Sequence, residues 1–379
     1  MYKLIAIAVA LILCLSLAVP AFAVSTQVEV TSDGVSPIIK CKWETPDDAD
    51  PTHMDPGTQT LPVEGSFDPS TGEQTIGCKD VYYWAVVTHP LGMGAISGVY
   101  ADVFHPEVQK QANITGDWLE PEWCGSFKYQ VELLQWQPTN NANQVAAFQQ
   151  ALEQGLVTFN DDYWAANCYD ADGDGTVDAD DFIADIIDQI NQGEAELYRG
   201  KEQLCNHQPA GIYTVEYKAA AGSALSDVVM NTMEFTELSS FLIDFTSVNY
   251  GQVAVGVHKW AGGDSYLNTP EKPTVWNNGN TYLSLQVEQD DAGFGKRTVG
   301  GVEKWNVHWD ARLGPERPDG IVYYDPFEPP ATIPGVLVMC TPTKLDFSIL
   351  VDKAPDGAGT YSGMMTLTST TLPFMPCAD

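Results

Sequence analysis

"FKYQVELL", residues 127–134, alternates through its first seven residues: Phe127, Tyr129, Val131 and Leu133 fall on one side of an extended chain, and Lys128, Gln130 and Glu132 on the other. A period of two over seven residues predicts a half-buried antiparallel strand, because successive side chains of a strand point to opposite faces. The same phrasing recurs in "DVYYWAVVTH", "GVYADVFH", "GIYTVEYKAA", "SFLIDFTSV", "QVAVGVHKW", "TYLSLQVEQ", "KWNVHWDARL", "KLDFSILVD" and "GTYSGMMTLT". Clusters of Gly, Pro, Asn and Asp separate these runs, and helices do not alternate with them. The pattern predicts a mainly β chain of antiparallel Ig-like β-sandwiches.

Helical spacing is confined to one region. Val145, Phe148, Ala151 and Leu152 recur at helical intervals, and Phe182, Ile183, Ile186, Ile187 and Ile190 form an apolar stripe through "DFIADIIDQINQ". The region, about 139–209, reads as a helical insertion between two strands of one sandwich. The expected plan is a first β-sandwich domain over 24–225 that carries the insertion, and a second over 235–379, with a soft boundary near "GSALSDVVMNT". The stretch from Lys40 to Cys78 is rich in Pro, Asp, Gly and Thr and reads as a long surface loop.

Residues 1–23, "MYKLIAIAVALILCLSLAVPAFA", have an early Lys3, an apolar run and a small-x-small end, which predicts a secretory signal cleaved before Val24. The run is shorter than the roughly 20 residues of a comfortable membrane span. No later segment is long and apolar enough to cross a bilayer, so the mature chain is expected to be secreted, extracellular or cell-surface. Asp and Glu number 51 against 18 Lys and Arg, a net charge of −33. Such an imbalance excludes nucleic acid and anionic membrane as partners, since both are bound through basic side chains. The 44% hydrophobic content argues for folded domains over disorder.

Of eight cysteines, Cys14 leaves with the signal. Export makes disulfides the first reading of the rest, and the absence of any C-x-x-C pair argues against metal or haem ligation by cysteine. Spacing alone suggests Cys41 with Cys78, Cys168 with Cys205 and Cys340 with Cys377. Cys124 is then a free thiol or is bonded to another chain.

"DADGDGTVDADD", residues 170–181, concentrates carboxylates with no base among them. Acids stand at positions 1, 3, 5, 9, 11 and 12, with Gly175 at position 6 and Val177 at 8. The loop resembles the calcium loops of EF-hand and dockerin proteins. That resemblance implies side-chain oxygens from Asp170, Asp172 and Asp174, the carbonyl of Thr176, a direct or water-mediated contact from Asp178, and a final carboxylate from Asp181. Position 12 is Asp rather than the Glu usual in EF-hands, which is closer to dockerins. A dockerin carries two such loops and this chain has one, so cohesin binding is not implied. Steady extracellular calcium would make the site a structural clamp, with calcium as the cofactor.

No G-x-S-x-G, H-E-x-x-H, phosphate-binding or dinucleotide motif is present. His308 and Asp310 share a strand face without an evident nucleophile, and Asp290-Asp291 in "QDDAGFG" reads as a turn or a weaker cation site. Tryptophans and tyrosines such as Tyr82, Tyr83 and Trp84 could stack on glycans but more simply pack within strands. Asn113 begins a single N-glycosylation sequon. In composition and strand phrasing the chain resembles secreted β-rich envelope proteins of methanogenic archaea. These features point to a non-enzymatic extracellular structural protein of a surface layer, sheath or matrix, associating with itself or with other cell-surface proteins. The alternative is a calcium-dependent adhesin or carbohydrate-binding module.

Overall fold

The structure is a computed structural model that describes residues 34–48, 58–106, 128–137, 140–167, 169–170, 174–314, 320–354 and 357–372. The chain is mainly β. Among the described residues the seven longest strands of the first unit are β1 (Ile38–Thr45), β2 (Cys78–Thr88), β3 (Gly98–Phe104), β4 (Lys128–Gln135), β5 (Ala195–Cys205), β6 (Gly211–Ala221) and β7 (Val229–Phe235). Between β4 and β5 lie three helices, α1 (Asn141–Glu153), α2 (Asp161–Asn167) and α3 (Ala179–Gln192). One sheet runs β5-β2-β1 and is extended past β1 by Thr158–Phe159. The facing sheet runs β4-β3-β6-β7 and is extended past β7 by Thr58–Thr60.

The two sheets form a sandwich because β4 belongs to both. Its residues 128–133 pair with β3, and then Leu134 and Gln135 pair with Arg199 and Tyr198 of β5. Gly200 permits the crossing, since a Cβ there would lie 2.8 Å from the Glu132 carbonyl oxygen. Val81, Tyr83, Ala85 and Val87 of β2 then face Val99, Ala101 and Val103 of β3 and Tyr213, Val215 and Ala219 of β6 across one buried core. Along the opposite seam β1 approaches β7 without a backbone ladder between them.

β1 corrects the expectation of a surface loop after Lys40. In "IIKCKWET" Ile39 points into the sandwich, and a bulge between Ile39 and Cys41 inserts Lys40 on the outer side. Cys41 and Trp43 then face outward under the helices, while Lys42 and Glu44 face inward. The period of two was present. Its polar positions are buried rather than solvated, with Lys40, Lys42 and Glu44 all fully buried. β5 is a second departure, because "AELYRGKEQLC" was included in the expected insertion but is a central strand. β7 begins within the expected boundary segment after residue 225 and pairs with β6 along its whole length.

In the second sandwich β8 (Thr274–Asn277), β10 (Val307–Leu313) and β11 (Pro342–Val351) form the middle of one sheet. β9 (Leu283–Gln289) and β12 (Met365–Thr371) lie in the other. Leu283, Leu285 and Val287 pack against Trp309, Ala311, Leu345, Phe347 and Ile349. Several expected strands are shorter here. Of "QVAVGVHKW" only His258 onward is strand, since Gly256 takes a left-handed turn (φ 77°) that leaves Val255 and Val257 exposed. The halves are coupled by "NNGN" at 277–280. There the Asn278 carbonyl accepts from Gly65 N (3.1 Å) and Asn206 Nδ2 (2.6 Å), and the Asn280 carbonyl accepts from Ala210 N (3.0 Å).

Candidate functional site: the acidic loop on its helical platform

Within the acidic loop, hydrogen bonds curl the backbone around its carboxylates. Asp170 Oδ2 accepts from Gly175 N at 2.9 Å, and Gly175 has φ 93°, a conformation that disfavours any side chain. Asp174 Oδ1 accepts from Thr176 N at 2.8 Å and Thr176 Oγ1 at 2.6 Å, which holds its carboxyl below the ordinary value. The last two acids start α3. Asp178 accepts from Asp180 N at 2.9 Å, and Asp181, almost fully buried, accepts from Asp178 N at 2.8 Å, so the pair forms a capping box. Asp180 sits exposed in the first turn. Asp172 and Cys168 lie outside the described residues. Among the described residues no three His, Cys, Asp or Glu side chains converge so as to hold a metal ion. The oxygen-bearing side chains of the loop are carboxylates and the Thr176 hydroxyl, oxygen donors of the hard class.

The loop is mounted on a rigid platform. Phe148 and Ala151 of α1, Trp164 of α2 and Ile186 and Ile190 of α3 bury against Cys41, Trp43, Val86, Ala195 and Leu197. Trp164 stacks on Phe182 at 4.3 Å between ring centroids. Asn160 latches the helices to the β1 bulge: its Nδ2 donates to the Ile39 carbonyl (2.8 Å), its backbone N donates to the Lys40 carbonyl (3.0 Å), and its Oδ1 accepts from Tyr163 N (3.1 Å). Lys40 Nζ donates to Asp185 Oδ2 (3.0 Å) and the Tyr163 hydroxyl (2.7 Å) and lies 4.9 Å from the Trp164 ring centre. Asp185 also accepts from Gln189 Nε2 (2.9 Å) and from the Tyr169 hydroxyl, and this last bond helps push the Tyr169 phenol up to about 12. Sequence reasoning found the helical stripe but missed Asp185 and Lys40. The available signal was an acid on the apolar side of α3, one turn after Asp181.

Disulfide pairing differs from the expectation. Cys78 opens β2, Cys205 closes β5, the two are register partners, and they are bonded to each other. Cys41 stands opposite Val86, eight residues further along β2, too far to reach Cys78. Its free thiol is sealed in the core, where burial pushes the pKa up. Cys340 is also free and, through burial, raised to about 11. Cys124, Cys377 and Asn113 lie outside the described residues.

The other weighed groups are absorbed by structure. His308 turns to Asp325 (2.5 Å) and Asp352 (3.5 Å) rather than to Asp310. Asp310, whose carboxyl burial raises above its ordinary value, accepts from the Ser348 hydroxyl and lies 3.1 Å from His258 Nδ1. A nucleophilic serine hands its proton to an imidazole oriented by an acid on the far ring nitrogen, whereas here Ser348 and Asp310 meet the same nitrogen. Asp290 and Asp291 spend their oxygens on backbone amides of residues 292, 293, 295 and 364, as a turn does. Trp84 is stacked on Trp43 (5.7 Å) and carries the Arg199 guanidinium over its ring (5.1 Å), so it packs within the protein.

No protein-family model and no curated protein matches the sequence. Among solved structures the chain is similar to the C-terminal domain of the Streptococcus pyogenes antigen I/II-family protein AspA. That match has 12% identity and a TM-score of 0.22, and covers 91% of this chain and 98% of that one. The C-terminal domain of the Streptococcus agalactiae AgI/II polypeptide BspA matches at 10% identity and a TM-score of 0.19, covering 89% and 96%. At TM-scores this low the alignments transfer neither domain arrangement nor function.

Proposed function

We propose that the chain is a non-enzymatic extracellular structural protein, a subunit of a cell-surface layer, sheath or matrix. The observation that carries this reading is the Cys78–Cys205 disulfide, which fastens the ends of two paired central strands. Such bonds persist in oxidising surroundings outside the cell, in keeping with the signal-like residues 1–23. Among the described residues no helix is long and apolar enough to cross a membrane. His308, Asp290 and Asp291 are spent on internal partners, which favours a scaffold over a catalyst.

In this reading the loop binds calcium through Asp170, Asp172, Asp174, Thr176, Asp178 and Asp181. The ion would supply positive charge that fixes the loop against α3. The platform residues do the rest: Lys40 and Asp185 hold α3 on β1, and the capping box orients Asp181. Acidic faces of neighbouring copies would meet through divalent ions, because a net charge of −33 otherwise keeps them apart. The test is the assembly state of the purified secreted protein by light scattering, with and without millimolar calcium, under oxidising and reducing conditions. Ordered oligomers are expected with calcium. A chain that remains monomeric under every condition sinks the reading, and a monomer that binds glycans on an array only with calcium replaces it with an adhesin.

A further inference from the structure

The inward face of β1 carries a second group of polar side chains, on the opposite side of the strand from the helices. Lys42 and Glu44 are both fully buried, 3.0 Å apart between Nζ and Oε1. Across the seam, Asn231 of β7 points inward between Val229 and Met233, with its carboxamide oxygen against Lys42 Nζ and its Nδ2 donating to Glu44 Oε2 at 2.8 Å. The Tyr217 hydroxyl donates to Glu44 Oε1 at 3.0 Å, and its ring lies 4.7 Å from Lys42 Nζ. One carboxylate thus touches an amine with one oxygen and the leaving nitrogen of a carboxamide with the other.

We propose that Lys42 and Asn231 are joined by an intramolecular isopeptide bond, formed by the protein itself with Glu44 as proton carrier. In the step, Glu44 takes a proton from the Lys42 ammonium, and the freed amine attacks Asn231 Cγ. The Nζ–Cγ bond forms. Glu44 returns the proton to Nδ2 and takes a second proton from Nζ, the Cγ–Nδ2 bond breaks, and the nitrogen leaves with that second proton as ammonium. Lysine and asparagine side chains become one secondary amide, with no oxidant or co-reactant required. Burial pushes the Lys42 ammonium down to about 8, the Glu44 charge opposing it only in part, so the amine is within reach near neutral pH. Lys42 and Glu44 are fully buried, which keeps bulk water away from the amine and its proton carrier.

The position of the bond gives it a use. β1 and β7 meet at the seam that lacks a backbone ladder, and the bond would close the sandwich there covalently. Its ring, spanning a sequence separation of 189, encloses the disulfide ring of 127 between Cys78 and Cys205. Tension applied to the chain ends would pass through the bond, and residues 43–230 could not be drawn out. For a surface protein under shear, this is protection that hydrogen bonds do not give.

Peptide mapping of the folded full-length secreted protein, after reduction and digestion, tests the proposal by mass spectrometry. The expected species is a branched peptide containing Lys42 and Asn231 and lacking one ammonia. In Glu44→Gln the same residues should appear in separate linear peptides of full mass. Separate linear peptides from the wild-type protein would overturn the bond. A branched peptide persisting in Glu44→Gln would overturn the role of the carboxylate and with it the mechanism. The wild-type map decides the bond by itself, so a Glu44 variant that fails to fold leaves the proposal fully exposed to refutation.

Discussion

Lys40 and Lys42 sit two residues apart on one strand, and both are fully buried, yet they lead different lives. The bulge after Ile39 sends Lys40 outward to Asp185, a carboxylate supplied by a helix docked on the sheet. Lys42 points inward to Glu44, supplied by its own strand, and to Asn231 of the facing sheet. Buried charges cost several kcal/mol each unless paired, so Lys40 needs Asp185 throughout, and Lys42 needs Glu44 until its amine is joined to Asn231. The two sites differ in how relief can come. Undocking the helices returns Lys40 to water, whereas Lys42 is released only when the sandwich opens. The outer site therefore reports on the platform and the inner one on the whole fold.

Removing each carboxylate should separate these two cases. Glu44→Ala removes the proton carrier, so the bond to Asn231 does not form and an unpaired Lys42 ammonium is left in the core, at an expected cost of about 3–5 kcal/mol. It should appear in chemical denaturation as one cooperative loss in the first sandwich. Asp185→Asn removes the acceptor of Lys40, Tyr169 and Gln189, but the helices can lift and let Lys40 hydrate. About 2–3 kcal/mol is expected, concentrated in α1–α3, where amide exchange should accelerate while β2 and β6 stay protected. Equal acceleration in helices and strands would show that the platform and sandwich unfold as one unit.

Much of this comparison was hidden in the sequence for a physical reason. Strands with one wet face, such as β4 and β6, announce themselves by alternation of apolar and polar residues. β1 alternates too, but it is buried on both faces, with Lys42 and Glu44 toward the facing sheet and Cys41 and Trp43 under the helices, and a lysine carries no mark of which side is dry. β5 was lost to the insertion because "RGKEQ" looks solvated, and its Gly200 is there for a backbone crossing. The apolar stripe of α3 was legible because it packs against a sheet on one side only. The acidic loop was legible in composition, and its capping box follows from Asp178 and Asp181 standing three apart. The Cys78–Cys205 pairing was not, since it depends on the register of β2 against β5. Nothing local to either cysteine encodes that register.

Calcium should sharpen the contrast by acting on the outer face alone. If the ion binds the loop, tenfold excess over its Kd adds about 1.4 kcal/mol to whatever unfolding includes the loop. Scanning calorimetry with calcium and with chelator should therefore move the transition of the helical platform, and Asp170→Asn should erase the difference. An identical trace in both buffers would remove the cation from the account of the loop.

The smallest effect probes the inner side again, through acid. His105 lies against Tyr129 and Tyr213, with ring centres 5.6 and 5.0 Å away. Burial pushes its imidazolium down to about 4, with the His207 charge acting in the same direction. The folded state thus binds fewer protons than the unfolded one between pH 4 and 6.5, so the stability tied to His105 is full above 6.5 and is lost as pH falls toward 4. The ring is partly open to solvent, which screens the penalty to about 1 kcal/mol. His105→Gln should flatten that part of the pH–stability curve relative to the wild type, leaving the carboxylate-driven loss below pH 4. If the two curves stay parallel from pH 6.5 to 4, the imidazole titrates alike in both states, and the end of the inner core near β3 admits more water than its tyrosine packing implies.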